Sequence, residues 1–145
     1  MKYSIKIDKE REEEILIYAH SRTTLIDEIE SLILNQSVEL TGYKDREAVV
    51  LNPAEICCFI IEENKVFALT DKEKFQLKQR LYQLEEMLDN SFVKINQSCI
   101  ANTKKIIRFD ASFTGTLSVV FKNGHKDYVS RRNVKQIKER FGVKL

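Results

Sequence analysis

Apolar residues along this chain recur at two spacings, and the switches between a period of two and a period of three to four mark its elements. Residues 1–8 (Met-Lys-Tyr-Ser-Ile-Lys-Ile-Asp) alternate apolar with polar, and residues 14–19 (Glu-Ile-Leu-Ile-Tyr-Ala) form a nearly continuous apolar run. Both predict strands, joined by a charged turn. Thr23 or Thr24 is placed to cap a helix in which Leu25, Ile26, Ile29, Leu32 and Ile33 share a face, with Asp27, Glu28 and Glu30 toward its positive end. A strand over 38–41, closed by Gly42, completes an expected ββαβ unit. We expect residues 1–45 to form a small acidic extension that regulates or dimerises the chain.

From residue 46 the period of two dominates. Residues 47–51 predict a strand ended by Asn52-Pro53, residues 56–61 a strongly buried strand, residues 62–65 a turn, and residues 66–70 the return. Two patterns overlap next: Lys74-Phe75-Gln76-Leu77-Lys78 alternates, while Leu77, Leu81, Leu84 and Leu88 make a helical stripe. A short strand followed by a helix from about Gln79 accommodates both. The last third predicts strands over 92–95, 106–109, 117–121 and 126–129. Asn123-Gly124 between two of them suits a type I′ hairpin, whose central residues both need positive φ. A terminal helix opens at Ser130 or Asn133, with Val134, Ile137 and Phe141 on one face and Lys135, Lys138 and Arg140 on the others. The fold class is α+β, mostly β.

Composition narrows the class. The chain has 145 residues, 43% of them hydrophobic and 32% charged, with one Pro and four Gly, so it can bury a core and has no low-complexity character. No segment approaches the roughly 18 consecutive apolar residues of a membrane span, and the N-terminus lacks the apolar core of a signal peptide. Neither membrane insertion nor secretion is expected, and the cytoplasm is the expected compartment. Cys57, Cys58 and Cys99 lie in apolar runs without a CxxC pair, and His20 and His125 supply no convergent spacing, so small buried thiols are expected rather than a metal site.

Charge changes the picture when the chain is divided. Residues 1–90 hold 12 Lys and Arg against 19 Asp and Glu, a net −7, whereas residues 91–145 hold 12 against 3, a net +9. A phosphate backbone would be drawn to one end only. Enzyme signatures are missing: there is no Gly-rich phosphate loop, GxSxG, HExxH or informative Cys-His pairing. No catalysis, cofactor or small-molecule substrate is therefore expected. The basic third instead holds Lys94-Ile95-Asn96-Gln97-Ser98, Asn102-Thr103-Lys104-Lys105 and Ser130-Arg131-Arg132-Asn133-Val134-Lys135. Arg can grip guanine bidentately, Asn and Gln can do the same for adenine, and Lys, Ser and Thr suit phosphate oxygens. Turns in any protein are rich in these residues, so this inventory alone leaves binding and plain surface about even.

The run Phe92-Val93-Lys94-Ile95-Asn96-Gln97-Ser98-Cys99-Ile100-Ala101-Asn102 resembles the hallmark of the LytTR family: aromatic, any residue, basic, aliphatic, His, polar, Ser, three mostly apolar positions, Asn. Further on, Phe121-Lys122-Asn123-Gly124 and Val129-Ser130-Arg131-Arg132-Asn133-Val134-Lys135 are similar to the family's hairpin and closing signature, and residues 51–70 to its first strands. The resemblance covers roughly residues 48–142 and implies a LytTR-type DNA-binding domain over 46–145. It implies an elongated β body whose loops enter successive major grooves of duplex DNA, with a homodimer on the DNA. By the same resemblance Lys65, Gln97 and Arg132 contact bases, and Lys94, Asn96, Ser98, Lys104, Lys105, Arg131 and Lys135 contact the backbone. Three departures stand out: Asn96 where His is frequent, Gln97 where Arg or Asn is frequent, and Ile60 where Glu is usual. Base preference does not carry over with those residues changed. Residues 1–45 are too few for a receiver domain, so the chain resembles a stand-alone LytTR regulator.

Two other classes compete. In a protein interaction module, the acidic N-terminal half would supply the partner surface and the basic third would be solvated. Competition by random duplex discriminates it from specific DNA binding. Single-stranded RNA binding would need strand aromatics exposed for stacking, for which Phe109, Phe113 and Phe121 are the candidates.

Overall fold

A computed structural model describes residues 1–35, 38–111 and 115–145. Its elements run α1 (Thr24–Asn35), β1 (Leu40–Lys44), β2 (Glu47–Leu51), β3 (Cys58–Glu62), β4 (Lys65–Leu69), β5 (Lys74–Leu77), α2 (Leu81–Met87), β6 (Phe92–Asn96), β7 (Cys99–Asn102), β8 (Ile106–Ala111), β9 (Leu117–Phe121), β10 (Lys126–Tyr128) and α3 (Arg131–Phe141). Seven strands form one antiparallel sheet in the order β2-β1-β5-β4-β3-β7-β6, and β10-β9-β8 form a second. The architecture is α+β and mostly β, as the periodicity predicts.

The apolar runs of β3 and β7 follow from burial on both faces. Phe59 and Ile100 point into a core beneath α2 with Leu81 and Leu84, whereas Cys58, Ile60, Cys99 and Ala101 point into a second core. That second core is closed by Leu117, Val119 and Phe121 of the smaller sheet and by Ile137 of α3. A strand covered on both faces has no solvent side to mark with polar residues, so its sequence loses the alternation seen in β5. The overlapping patterns before α2 separate as expected into β5 and a helix starting at Leu81, where the Arg80 backbone N–H donates to Gln83 Oε1 at 2.9 Å.

The turn at 62–65 forms as expected, whereas the one at Asn123-Gly124 differs in type. The type I′ geometry belongs to the β3–β4 connection, where Glu63 and Asn64 both have positive φ (50° and 65°) between the paired Glu62 and Lys65. At the β9–β10 hairpin only Gly124 does (φ 89°). There the Phe121 N–H donates to His125 O (2.8 Å) and the Gly124 N–H to Phe121 O (2.9 Å), a three-residue loop ending in a left-handed Gly. The Asn123 side chain explains the shape, since it donates to Thr70 O and accepts from the His125 N–H, drawing the turn against the end of β4.

The expected N-terminal ββαβ unit is not formed. Residues 1–8 and 14–19 pair with no strand among the described residues, and residues 1–25 are all exposed. The expected fourth element, β1, pairs with β2 and β5 inside the main sheet, so the β1–β2 hairpin crosses residues 45–46. Helix α1 is present where the capping Thr predicts it, with the Asp27 N–H donating to Thr23 O. It docks by its polar side: Glu30 accepts from Asn90 Nδ2 (2.8 Å) and Ser31 Oγ lies 3.1 Å from Ser91 Oγ. Leu25, Leu32 and Ile33 of its apolar stripe are consequently exposed.

Candidate nucleic-acid interface

Antiparallel pairing brings three distant segments to one end of the main sheet. The end of β3, the start of β4, the end of β6 and the start of β7 are adjacent, because the Ile61 N–H donates to Ser98 O (3.0 Å) and Ile60 pairs with Cys99. Lys65, exposed at the first position of β4, therefore sits beside the two-residue turn Gln97-Ser98, also exposed. Helix α3 begins at the same place. The Ser130 N–H donates to Ile95 O (2.8 Å), and Asn133 Nδ2 donates to Ile95 O (3.2 Å), Lys94 O (3.3 Å) and Ser130 Oγ (2.9 Å). These bonds fix the first turn of α3 against β6, so that the exposed Arg131 and Arg132 join Lys65 and Gln97, with Lys135 one turn further.

Two arginines in the first turn of a helix oppose its dipole, where acids are favoured by about 0.3–1 kcal/mol each. Their place is therefore not explained by helix stability. Among the described residues Lys65, Lys104, Lys105, Arg131, Arg132 and Lys135 form no ion pair, whereas Lys94 Nζ lies 4.0 Å from Glu85 Oε2. An open groove beside the β3–β4 turn adds Lys78 and Arg80 to Lys65, basic groups that sequence reasoning missed because they fall where a strand and a helix pattern overlap.

Lys104 and Lys105 are not part of this cluster. They form a short 3₁₀ turn after β7, at the opposite end of the sheet, where the Lys122 N–H donates to Lys105 O (2.8 Å). The four-residue strand β7 lies between Gln97 and Lys104, a length of roughly 13 Å at about 3.3 Å per residue. The sequence gathers both groups into one basic third; the fold makes them two patches.

Asn96 is the clear correction. It was expected on the DNA backbone, yet it is 2% exposed and its amide is fully engaged. Its Nδ2 donates to Asp127 Oδ1 (2.9 Å) and Tyr128 O (2.8 Å), while its Oδ1 accepts the Ser98 N–H (2.7 Å). It holds the turn rather than a phosphate. For Asp127, burial is the largest single influence and disfavours the charge, but hydrogen bonds from His125, Asn96 and the Tyr128 N–H outweigh it and hold the carboxyl below its ordinary value. Asn102 of the hallmark run is likewise structural, donating to Ile56 O (2.8 Å) and accepting the Lys104 N–H (3.0 Å).

The remaining sequence candidates are core. Burial is the largest cause pushing the Cys57 thiol up to about 11, and the hydrogen bond between Cys99 and Cys58, then burial, raise the Cys99 thiol. Phe121 is buried and Phe109 packs edge-on against Phe141 with ring centroids 4.9 Å apart, so neither offers a free face for base stacking. Phe113 lies outside the described residues.

The LytTr DNA-binding domain family matches residues 46–142, and the chain belongs to that family. A full-length relative, an uncharacterized HTH-type transcriptional regulator of Staphylococcus aureus strain MSSA476, is 35% identical over 99% of each chain. Another from strain NCTC 8325 is 35% identical over 81% of this chain and 83% of its own. The fold is similar to the solved LytTr DNA-binding domain of a Bacillus cereus protein described as a methyl-accepting/DNA response regulator, with a TM-score of 0.66 at 17% identity, covering 72% of this chain and 97% of that one. The chain is thus a DNA-binding transcriptional regulator of LytTR type, which is not an enzyme class. Although its relatives carry a helix-turn-helix descriptor, no two α-helices are consecutive among the described residues here. No described helix is long and apolar enough to cross a membrane.

Proposed function

We propose that this chain binds specific duplex DNA by setting the β3–β4 turn, the Gln97-Ser98 turn and the start of α3 into major grooves. Lys65, Gln97 and Arg132 read base edges, and Lys94, Ser98, Arg131 and Lys135 hold phosphates of the same stretch. Lys104 and Lys105 grip the backbone further along. The observation that carries this reading is the convergence of Gln97, Lys65 and two unpaired arginines on one exposed end, against the helix dipole.

Residues 1–45 carry the protein contact in this reading. Tyr3, Ile5, Ile7, Leu16 and Tyr18 are 68–92% exposed, and Leu25, Leu32 and Ile33 of α1 face outward, which favours self-association into a homodimer on DNA over a free acidic tail. With duplex DNA as partner, the chain acts in the cytoplasm. Selection of bound duplexes from a random pool tests the function: a recurrent motif, retained against excess random duplex, is the expected result. Recovery of no motif returns the basic third to a solvated surface.

A further inference from the structure

We propose that Asp127, on β10, is a positioning residue for DNA recognition, which through Asn96 fixes the turn carrying Gln97 and Ser98; this role rests on the reading of duplex DNA given above. Asp127 lies 30 residues beyond Gln97 in sequence and no resemblance assigns it a part in binding. Its Oδ1 accepts from Asn96 Nδ2 and from the Tyr128 N–H, both at 2.9 Å, and its Oδ2 lies 3.3 Å from His125 Nε2. Cys99 of β7 is the other titratable group facing it.

The polarity of the Asn96 amide sets the turn. An amide side chain has a donating end and an accepting end, and hydrogen bonding decides which way it lies. An ionised carboxylate only accepts. Asp127 and Tyr128 O each take one proton of the Asn96 nitrogen, and together they turn the Asn96 oxygen to the Ser98 N–H. The Ser98 carbonyl in turn receives the Ile61 N–H from β3. The turn is thus held from both sides by one chain of bonds that begins at the charge on Asp127. With Asn at 127 the bond to Asn96 loses its charge assistance, so Asn96 keeps its orientation through Tyr128 O and the Ser98 N–H but is held less tightly, and the turn carrying Gln97 loosens with it.

The charge has a second consequence of opposite sign. Asp127 is one of only three acids in residues 91–145, and it stands beside loops assigned to phosphates. A carboxylate there repels DNA, so it is retained against affinity, as expected of a group that serves geometry. Asp110 supplies the comparison: it is half-buried, ion-paired to Lys126 across the smaller sheet, and bonded to nothing in the reading turn.

The test compares Asp127→Asn and Asp110→Asn with the unaltered full-length chain. Each is measured against the duplex recovered by selection and against random-sequence duplex at one salt concentration. Asp127→Asn should bind random duplex about twofold or more tightly, since a repulsive charge is gone. Its preference for the selected duplex should fall about tenfold, the discrimination of a mis-set bidentate contact. Asp110→Asn should leave that preference unchanged. Amide exchange at Ser98, followed by NMR without DNA, should accelerate in Asp127→Asn only. Equal effects of the two substitutions on preference would overturn the proposal, as would a parallel loss of both affinities in Asp127→Asn. Unchanged Ser98 exchange overturns the coupling while leaving DNA binding intact, whereas failure of the unaltered chain to enrich any duplex overturns the DNA reading and this role with it.

Discussion

Raising salt should release this protein from DNA by an amount that its two basic patches set. Five basic side chains are assigned to phosphates: Lys94, Arg131 and Lys135 at the reading end of the sheet, and Lys104 and Lys105 at the other. Each phosphate neutralised contributes about −0.9 to the slope of log K against log salt, so five give a slope near −4.5. Lys94 already faces Glu85 at 4.0 Å. If it stays with that partner the count is four and the slope about −3.6. Between 50 and 200 mM salt these slopes amount to a loss of roughly 150- to 500-fold in affinity. The double substitution Lys104→Ala/Lys105→Ala removes the far patch alone and should flatten the slope by about 1.8 while leaving base preference unchanged. Fluorescence anisotropy of a labelled duplex across a salt series measures both quantities. A slope flatter than about −1 would refute the phosphate assignments, and a double variant with an altered base preference would refute the separation of the two patches.

Other outcomes follow from particular side chains. Arg132→Ala and Gln97→Ala should each cost about 1–3 kcal/mol at one base position of the selected site and little elsewhere, read from binding to all its single-base variants; a uniform loss would show that neither residue specifies sequence. Gly42→Ala should lower stability by about 1–3 kcal/mol in urea unfolding, because a Cβ there would lie 2.6 Å from Phe75 Cβ and 2.7 Å from Leu51 Cδ1, and an unchanged midpoint would contradict the close packing of β1 on β5. Removal of residues 1–22, which touches no strand, should abolish self-association in sedimentation yet leave affinity for a single half-site unchanged; loss of half-site binding would place DNA contacts in the N-terminal segment.

How far the sequence reads depends on the range of the force that places each residue. The strands and turns of residues 47–77 and the helices α1 and α3 are legible because period and turn residues act within a few positions, and their local preference agrees with the fold. The basic third is legible for the same reason: charge composition needs no coordinates. Residues 1–8 and 14–19 show where that logic stops, since an alternating or apolar run becomes a strand only when a neighbour supplies hydrogen bonds and a covering layer. Asn123-Gly124 shows it again, because a side-chain bond to Thr70, 53 residues away, overrides the turn that the dipeptide favours in isolation.

The site itself divides along the same line. Lys65, Gln97, Arg131, Arg132 and Lys135 could be named from residue type and resemblance, since exposed polar groups in turns keep the chemistry their side chains carry alone. Asn96 could not be assigned that way: the same amide that suits a phosphate or a base is buried here between Asp127, Tyr128 and Ser98. The separation of Lys104 and Lys105 from the arginines is equally invisible in sequence, because it follows from which end of an antiparallel strand each turn occupies. The sequence by itself determined most of the elements from residue 24 on and the basic third, which are sums of local terms, and its resemblance pointed to the type of partner. Only the tertiary structure decided which polar groups face out, which hold one another, and which basic residues stand together, because each of those depends on pairing between segments tens of residues apart.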